Sequence, residues 1–166
     1  WEYGSGVVVP DTGVVWQNRG MSFSLDPSHH HALEPGKRPF HTLIPALARL
    51  KDGRTMAYGN MGGEGQPQSQ AAVFSRHVMF GAPLQEAISA PRWLLGRTWG
   101  EDTASLKLEN RFDSALVDKL MAAGHDVELM EPFTSTMGHA GAVSVSHSGA
   151  FEGASDPRSD GAAVGL

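Results

Sequence analysis

The stretch Tyr58-Gly59-Asn60-Met61-Gly62-Gly63-Glu64-Gly65-Gln66 places four glycines in the seven residues from Gly59 to Gly65. It follows Thr55-Met56-Ala57-Tyr58, which reads as a strand, and precedes a run from about Pro67 to Phe80 that reads as a helix. Adjacent glycines at a strand-to-helix junction let the backbone take positive φ and turn consecutive N–H groups outward. The positive end of the helix dipole lies close behind. Such a turn can hold a developing oxyanion, a phosphate, or nothing. A P-loop would need Gly-Lys followed by Ser or Thr, and the stretch has no lysine. A dinucleotide fingerprint would need G-x-G-x-x-G, which this glycine order does not give. An oxyanion turn remains beside a plain tight turn. In the former, each well-placed donor stabilises the transition state by roughly 3 kcal/mol.

The segments before this turn read as hairpins. Leu43 to Leu50 is strongly apolar, and Lys51-Asp52-Gly53-Arg54 is a turn, so the run pairs antiparallel with Thr55–Tyr58. Val7-Val8-Val9 and Val14-Val15-Trp16 flank Pro10-Asp11-Thr12-Gly13 as a second hairpin. Residues 19–39 are irregular, with a turn at Pro35-Gly36. The triplet His29-His30-His31 within them reads as solvated loop, because adjacent residues cannot all face one ion.

After the turn, Ala71, Ala72, Val73, Phe74, Val78 and Met79 fall near helical spacing, and Gly81 closes that helix. Residues 83–88 form a short helix with Pro83 in its first turn, stopped at Ala90-Pro91. Trp93 and Trp99 flank a glycine-containing link and read either as core or as groove lining. Residues 105–109 alternate like a strand. Asp113 to Ala123 is an amphipathic helix with Leu116, Val117, Leu120 and Met121 on one face, capped by Gly124. Strands follow at 127–130, 141–146 and 150–152, and Gly153–Arg158 ends the pattern. His77 is expected to be partly exposed, His125 to meet a helix C-terminus, His139 and His147 to lie in turns, and the methionines to fill the core. Hairpins mixed with helices make the class α+β, a mostly antiparallel sheet with packed helices, in one domain over residues 1–166.

Composition bounds the function. At 166 residues, roughly 70% of the unfolded surface can be buried. With 40% hydrophobic and 19% charged residues, global disorder is excluded. The net charge of −5 without a Lys/Arg stripe argues against a nucleic-acid partner. No cysteine is present, so thiolate zinc sites and disulfides are excluded. No H-E-x-x-H or other histidine spacing suggests a metal. No apolar run approaches the roughly 20 residues of a membrane span, and no signal peptide is visible, which leaves cytoplasm and periplasm both open. The start at Trp1, without methionine, reads as that of a fragment or a processed chain.

Five ordered motifs carry a resemblance: Gly4-Ser5-Gly6, Pro35-Gly36-Lys37-Arg38-Pro39, Met61-Gly62-Gly63, residues 84–92 and residues 153–158. In that order and spacing, over nearly the whole chain, the sequence resembles the C-terminal part of the small subunit of γ-glutamyltranspeptidases and their cephalosporin-acylase relatives. The resemblance implies an N-terminal-nucleophile hydrolase fold, an αββα sandwich. It also implies a self-cleaving precursor and a threonine nucleophile whose own α-amino group is the base. An acyl-enzyme forms and is resolved by water or an amine. No cofactor and no metal are implied. The expected partners are a small-molecule amide and the remaining N-terminal part or large subunit of the same precursor.

Carried over by position, Gly62 and Gly63 match the oxyanion-hole glycines. Three substrate positions depart. Ser22 stands where the family has an aspartate that grips the donor's α-ammonium. His41-Thr42 stand where it has paired serines for the α-carboxylate, and Arg19 replaces a glutamine. Losing one charge-assisted hydrogen bond weakens the hold on a γ-glutamyl donor roughly ten- to hundredfold. Arg19 offers a carboxylate a bidentate partner instead. The expectation is an acylase for γ-glutamyl or glutaryl-type amides, with hydrolysis favoured over transfer and donors lacking an ammonium preferred. The implied nucleophile lies upstream of Trp1, so this segment by itself is expected to be inactive. Neither Ser5 nor Thr42 is N-terminal. A triad built on Ser155 and Asp156 lacks the G-x-S-x-G elbow, and Asp156-Pro157-Arg158 reads as a structural turn with an ion pair. The alternative is a non-catalytic binding module derived from the same fold. An unpaired sheet edge would also favour a homo-oligomer.

Overall fold

The computed structural model describes residues 4–16, 18–98 and 103–165. Trp1 and Trp99 lie outside the described residues. The chain forms two units, Trp1–Leu43 and Ile44–Leu166.

The first unit is mostly loop. Val8 pairs antiparallel with Val15. The Val9 N–H donates to the Val14 carbonyl and the Trp16 N–H to the Val7 carbonyl, both at 2.8 Å, so the expected hairpin is present in a minimal form. A short 3-10 turn spans Arg19–Ser22. The three histidines lie in an exposed turn, with ring centroids of neighbours 4.3 and 4.0 Å apart.

The second unit holds two sheets. Strands β1 (Ala46–Arg49), β2 (Thr55–Met61), β6 (His139–Val145) and β7 (Phe151–Ser155) form an antiparallel sheet in the order β1-β2-β6-β7. Strands β3 (Trp93–Leu95), β4 (Leu106–Glu109) and β5 (Val127–Met130) form a second, with β3 antiparallel and β5 parallel to β4. The parallel pair requires a crossover. Helix α3 (Ser114–Ala122) supplies it. Asp113 caps α3 by accepting from the Ala115 N–H at 3.0 Å.

Helices α1 (Gln66–Phe74) and α2 (Leu84–Ser89) pack on one face of the four-stranded sheet. Period-two alternation along β2 and β6 sends Met56, Ala140 and Ala142 into that interface, where they meet Val73, Leu84 and Ile88. The opposite face, with Leu47, Val143 and Phe151, is exposed. A smaller core joins Leu106, Leu108 and Val117. No helix among the described residues is long and apolar enough to cross a membrane.

Several expectations are corrected. The run from Pro67 to Phe80 is not one α-helix: α1 passes into a wider π-helical turn at Ser75–Met79. Its buried face is largely polar, because Gln66, Ser69 and Gln70 turn inward to bond the Gly63, Gly65 and Ile44 carbonyls, while Met79 and Phe80 face outward. His77 is buried, not partly exposed. Its Nε2 lies 2.9 Å from the Arg54 guanidinium and its Nδ1 2.8 Å from the Ala82 carbonyl. A guanidinium can only donate, so Nε2 accepts and Nδ1 carries the proton. Of the apolar face expected on α3, Val117 is buried, but Leu116 and Met121 are exposed. His139 opens β6 and is not in a turn. Met56 and Met137 fill the core, whereas Met21, Met61, Met79 and Met121 are exposed. The pattern does not end at Gly153, since β7 continues to Ser155. β3 forms where only a link was expected.

Candidate active site

Strand β2 ends at Met61, and the chain turns through Gly62 (φ 157°) and Gly63 (φ 52°) into a 3-10 turn, Gly63–Gly65, that runs directly into α1. The conformation at Gly63 is left-handed, which favours glycine. The Gly62 carbonyl is held from two sides, by the Gly65 N–H at 2.9 Å and the buried Thr98 hydroxyl at 3.2 Å. This fixes the peptide that carries the Gly63 N–H. The first N–H groups of a helical turn have no acceptor within it. They stand at the positive end of α1.

A second turn is pressed against the first. A Cβ added to Gly62 would lie 3.2 Å from the Gly138 Cα, and one added to Gly138 would lie 2.0 Å from the Met61 carbonyl oxygen. Only two glycines allow this approach. Arg92, fully buried, holds the second turn: its Nη1 donates to the Met137 and Gly138 carbonyls at 3.0 and 2.9 Å. Its Nη2 donates to the Ile88 carbonyl at 3.0 Å and to Asp156 Oδ2.

Asp156 also accepts from the Ala140 N–H at 2.6 Å and from the Arg158 N–H and Nη1, each at 3.0 Å. Burial raises the Asp156 pKa, but the Ala140 N–H, Arg92 and the Arg158 N–H outweigh it and hold the carboxyl below its usual range. Arg158 completes the network through Glu109, at 2.6 and 2.5 Å. Burial opposes its charge, and Glu109 and Asp156 more than restore it. Arg111 closes the rim, bonded to Glu109 at 3.3 Å and stacked 3.6 Å over the Phe133 ring. The Asp156-Pro157-Arg158 segment is therefore the structural turn and ion pair read from the sequence. Both Asp156 oxygens are engaged, so it has none to orient a histidine.

The remaining sequence-predicted residues lie in the first unit. Arg19 and Ser22 open and close one 3-10 turn. The Arg19 Nη1 donates to the Thr42 hydroxyl, so these two residues come together. The His41 Nδ1 instead accepts from the Leu43 N–H at 3.3 Å, within its own loop. Asn60, Gly138, Thr98 and the role of Arg92 escaped the sequence reading. Arg92, Asp156 and Arg158 were visible only as parts of motifs. Among the described residues, no three His, Asp or Glu side chains are grouped to hold a metal.

The second unit's antiparallel sheet with helices on one face is that of solved γ-glutamyltranspeptidases and a cephalosporin acylase, so the fold class is the N-terminal-nucleophile hydrolase one. The γ-glutamyltranspeptidase model matches residues 1–166, and the chain belongs to that family. It is 64% identical over 164 residues to the oxamate amidohydrolase proenzyme of Klebsiella pneumoniae, covering 99% of this chain and 31% of that protein. It is 48% identical to the glutathione hydrolase-like YwrD proenzyme of Bacillus subtilis, covering 100% and 32%. The γ-glutamyltranspeptidase of Pseudomonas nitroreducens, solved in complex with L-DON, aligns with a TM-score of 0.67 at 27% identity, covering all of this chain and 89% of that one. The chain spans about a third of the length of the curated relatives it matches.

Proposed function

We infer that this chain is the C-terminal part of an amidohydrolase whose substrate is a small amide with a carboxylate on its acyl side. The oxamate named for the relative at 64% identity is such a molecule, with the carboxylate directly on the scissile carbonyl. The observation that carries the reading is the Arg19–Thr42 pair: a guanidinium fixed by a hydroxyl, on the same turn as Ser22. A guanidinium binds a carboxylate through two parallel N–H groups. Ser22, standing where the family's aspartate is expected, leaves no charge for an ammonium group. A glutaryl-type donor satisfies the same chemistry, and a γ-glutamyl donor satisfies it less well.

In this reading the upstream threonine hydroxyl attacks the carbonyl carbon and its α-amino group takes the proton. The carbonyl oxygen becomes an oxyanion held by the Gly62–Gly63 turn. The C–N bond then breaks and the protonated amine departs. Water attacks the ester, returns the threonine hydroxyl, and releases the acid. In this reading the residues of this chain supply the oxyanion turn and the carboxylate grip.

The test is carried out on the whole precursor. Ammonia release from oxamate is compared with hydrolysis of glutaryl and γ-glutamyl anilides, in wild type and Arg19→Ala. The expected result is a preference for donors without an ammonium, and a KM for them raised roughly ten- to hundredfold in the variant. A γ-glutamyl donor handled as well as the others would overturn the reading.

A further inference from the structure

Asn60 lies on β2 two residues before Gly62, on the face that packs against the helices. It is 8% exposed. Neither its Nδ2 nor its Oδ1 has a hydrogen-bond partner among the described residues. The amide is enclosed by the two positions where the turns meet. A Cβ on Gly138 would lie 2.6 Å from Nδ2 and 2.9 Å from Oδ1, and a Cβ on Gly62 would lie 3.5 Å from Nδ2.

An unpartnered buried amide lowers stability. Leucine has nearly the same shape and would fill this space without that penalty. A polar side chain kept against the fold's own interest, in contact with the Gly62–Gly63 turn, marks a functional constraint. Other polar side chains at the two turns are bonded to backbone: Ser69 to the Gly65 carbonyl, Thr98 to the Gly62 carbonyl, Arg92 to the Gly138 carbonyl; the His139 Nε2, like the Asn60 amide, is not. Asn60 is the amide left over at the junction.

Resting on the reading of Gly62–Gly63 as an oxyanion turn, we propose that Asn60 is a positioning residue for that turn. Its amide stands against Gly62 and Gly138 as a fixed dipole in a buried setting, with the nitrogen nearest Gly62. It sets the orientation of the Gly62 and Gly63 N–H groups toward the charge that develops on the acyl oxygen. It touches no reacting atom and moves no proton.

The test uses the full-length precursor as wild type, Asn60→Leu and Asn60→Asp. Three quantities are measured: the unfolding midpoint, kcat and KM for oxamate, and hydrogen exchange at the Gly62 and Gly63 amides. Asn60→Leu is expected to unfold at the same denaturant concentration or a higher one. Its kcat should fall about 10- to 100-fold with KM changed less than about twofold, and its Gly63 amide should exchange faster. Asn60→Asp, which puts a negative charge beside the turn, should lose more kcat than the leucine variant. An Asn60→Leu protein that keeps its kcat overturns the proposal. So does one that loses stability and activity together, because the amide would then be a structural member. If wild type hydrolyses no amide, the proposed function fails instead. The exchange comparison still decides this point, with unchanged protection at Gly63 overturning the positioning role and faster exchange supporting it.

Discussion

Arg92 and Asp156 form an ion pair in which neither side chain has any exposed surface, and through it the last strand of the chain is tied to the turn beside Gly62. A buried pair does not raise stability much over a well-packed apolar one, but breaking it strands a charge.

Arg92→Ala should therefore destabilise the fold by about 3–5 kcal/mol. It leaves Asp156 Oδ2 without its side-chain partner, Arg158 still holding Oδ1, and frees the Met137 and Gly138 carbonyls. Urea unfolding measures the loss. A change within the scatter of surface substitutions, about ±0.5 kcal/mol, would show that the pair is dispensable.

The pH dependence follows from the depressed Asp156 pKa. Burial acts to raise it, and the Ala140 N–H, Arg92 and the Arg158 N–H lower it further than burial raises it. A group with a folded pKa below its unfolded value adds stability that is fully present above the unfolded pKa, about 3.9. That stability is lost as pH falls through the folded value. Stability should hold from neutral pH to about pH 5 and decline below about pH 4. In Asp156→Asn the acid slope should flatten, which unfolding midpoints between pH 3 and 7 would read. An unchanged slope would assign the acid sensitivity to other carboxylates.

Gly138→Ala and Gly59→Ala separate close approach from mere flexibility. At Gly138 (φ 76°) the methyl would stand 2.0 Å from the Met61 oxygen, so the two turns must part. The cost should exceed about 2 kcal/mol. At Gly59 nothing lies within 4 Å of the added methyl. There the substitution should be neutral or stabilise by up to about 1 kcal/mol. Equal effects at both sites would contradict the contact described between Gly62 and Gly138.

The four-stranded sheet presents Leu47, Val143 and Phe151 on its uncovered face, and β1 and β7 as edges. Produced by itself, the chain should associate with itself, its light-scattering mass rising with concentration. A strict monomer at high concentration would show that these surfaces are inert.

What was legible in the sequence was local. The β1–β2 hairpin, the glycine turn and the separate elements β4, α3 and β5 depend on neighbours in sequence, and their turn and capping residues announce them, whereas the parallel pairing of β4 with β5 was not read. The meeting of Gly62 with Gly138 was not legible, because β2 and β6 are joined only through tertiary pairing. The same reason hid β3. Leu94 is buried there and Trp93 pairs with Leu108, but a three-residue strand has no periodicity to read. His77 was misjudged because Arg54, which turns it inward, comes from the hairpin and not from the helix that carries it. At the site, the glycines were legible from their spacing. The unpartnered amide of Asn60 was not, since burial and missing partners are tertiary properties.

The Arg92–Asp156 tie spans 64 residues, and the contact between Ser69 and the Met137 carbonyl spans 68. Synthesis from the N-terminus delivers the glycine turn long before the strand that braces it. A nascent chain released from the ribosome only as far as β5 should carry the turn unbraced and open to protease, and chains extended beyond Arg158 should resist. Protection acquired before β6 emerges would contradict this order. A glycine turn that sets only after β7 is made could serve no chemistry while the chain is still being translated.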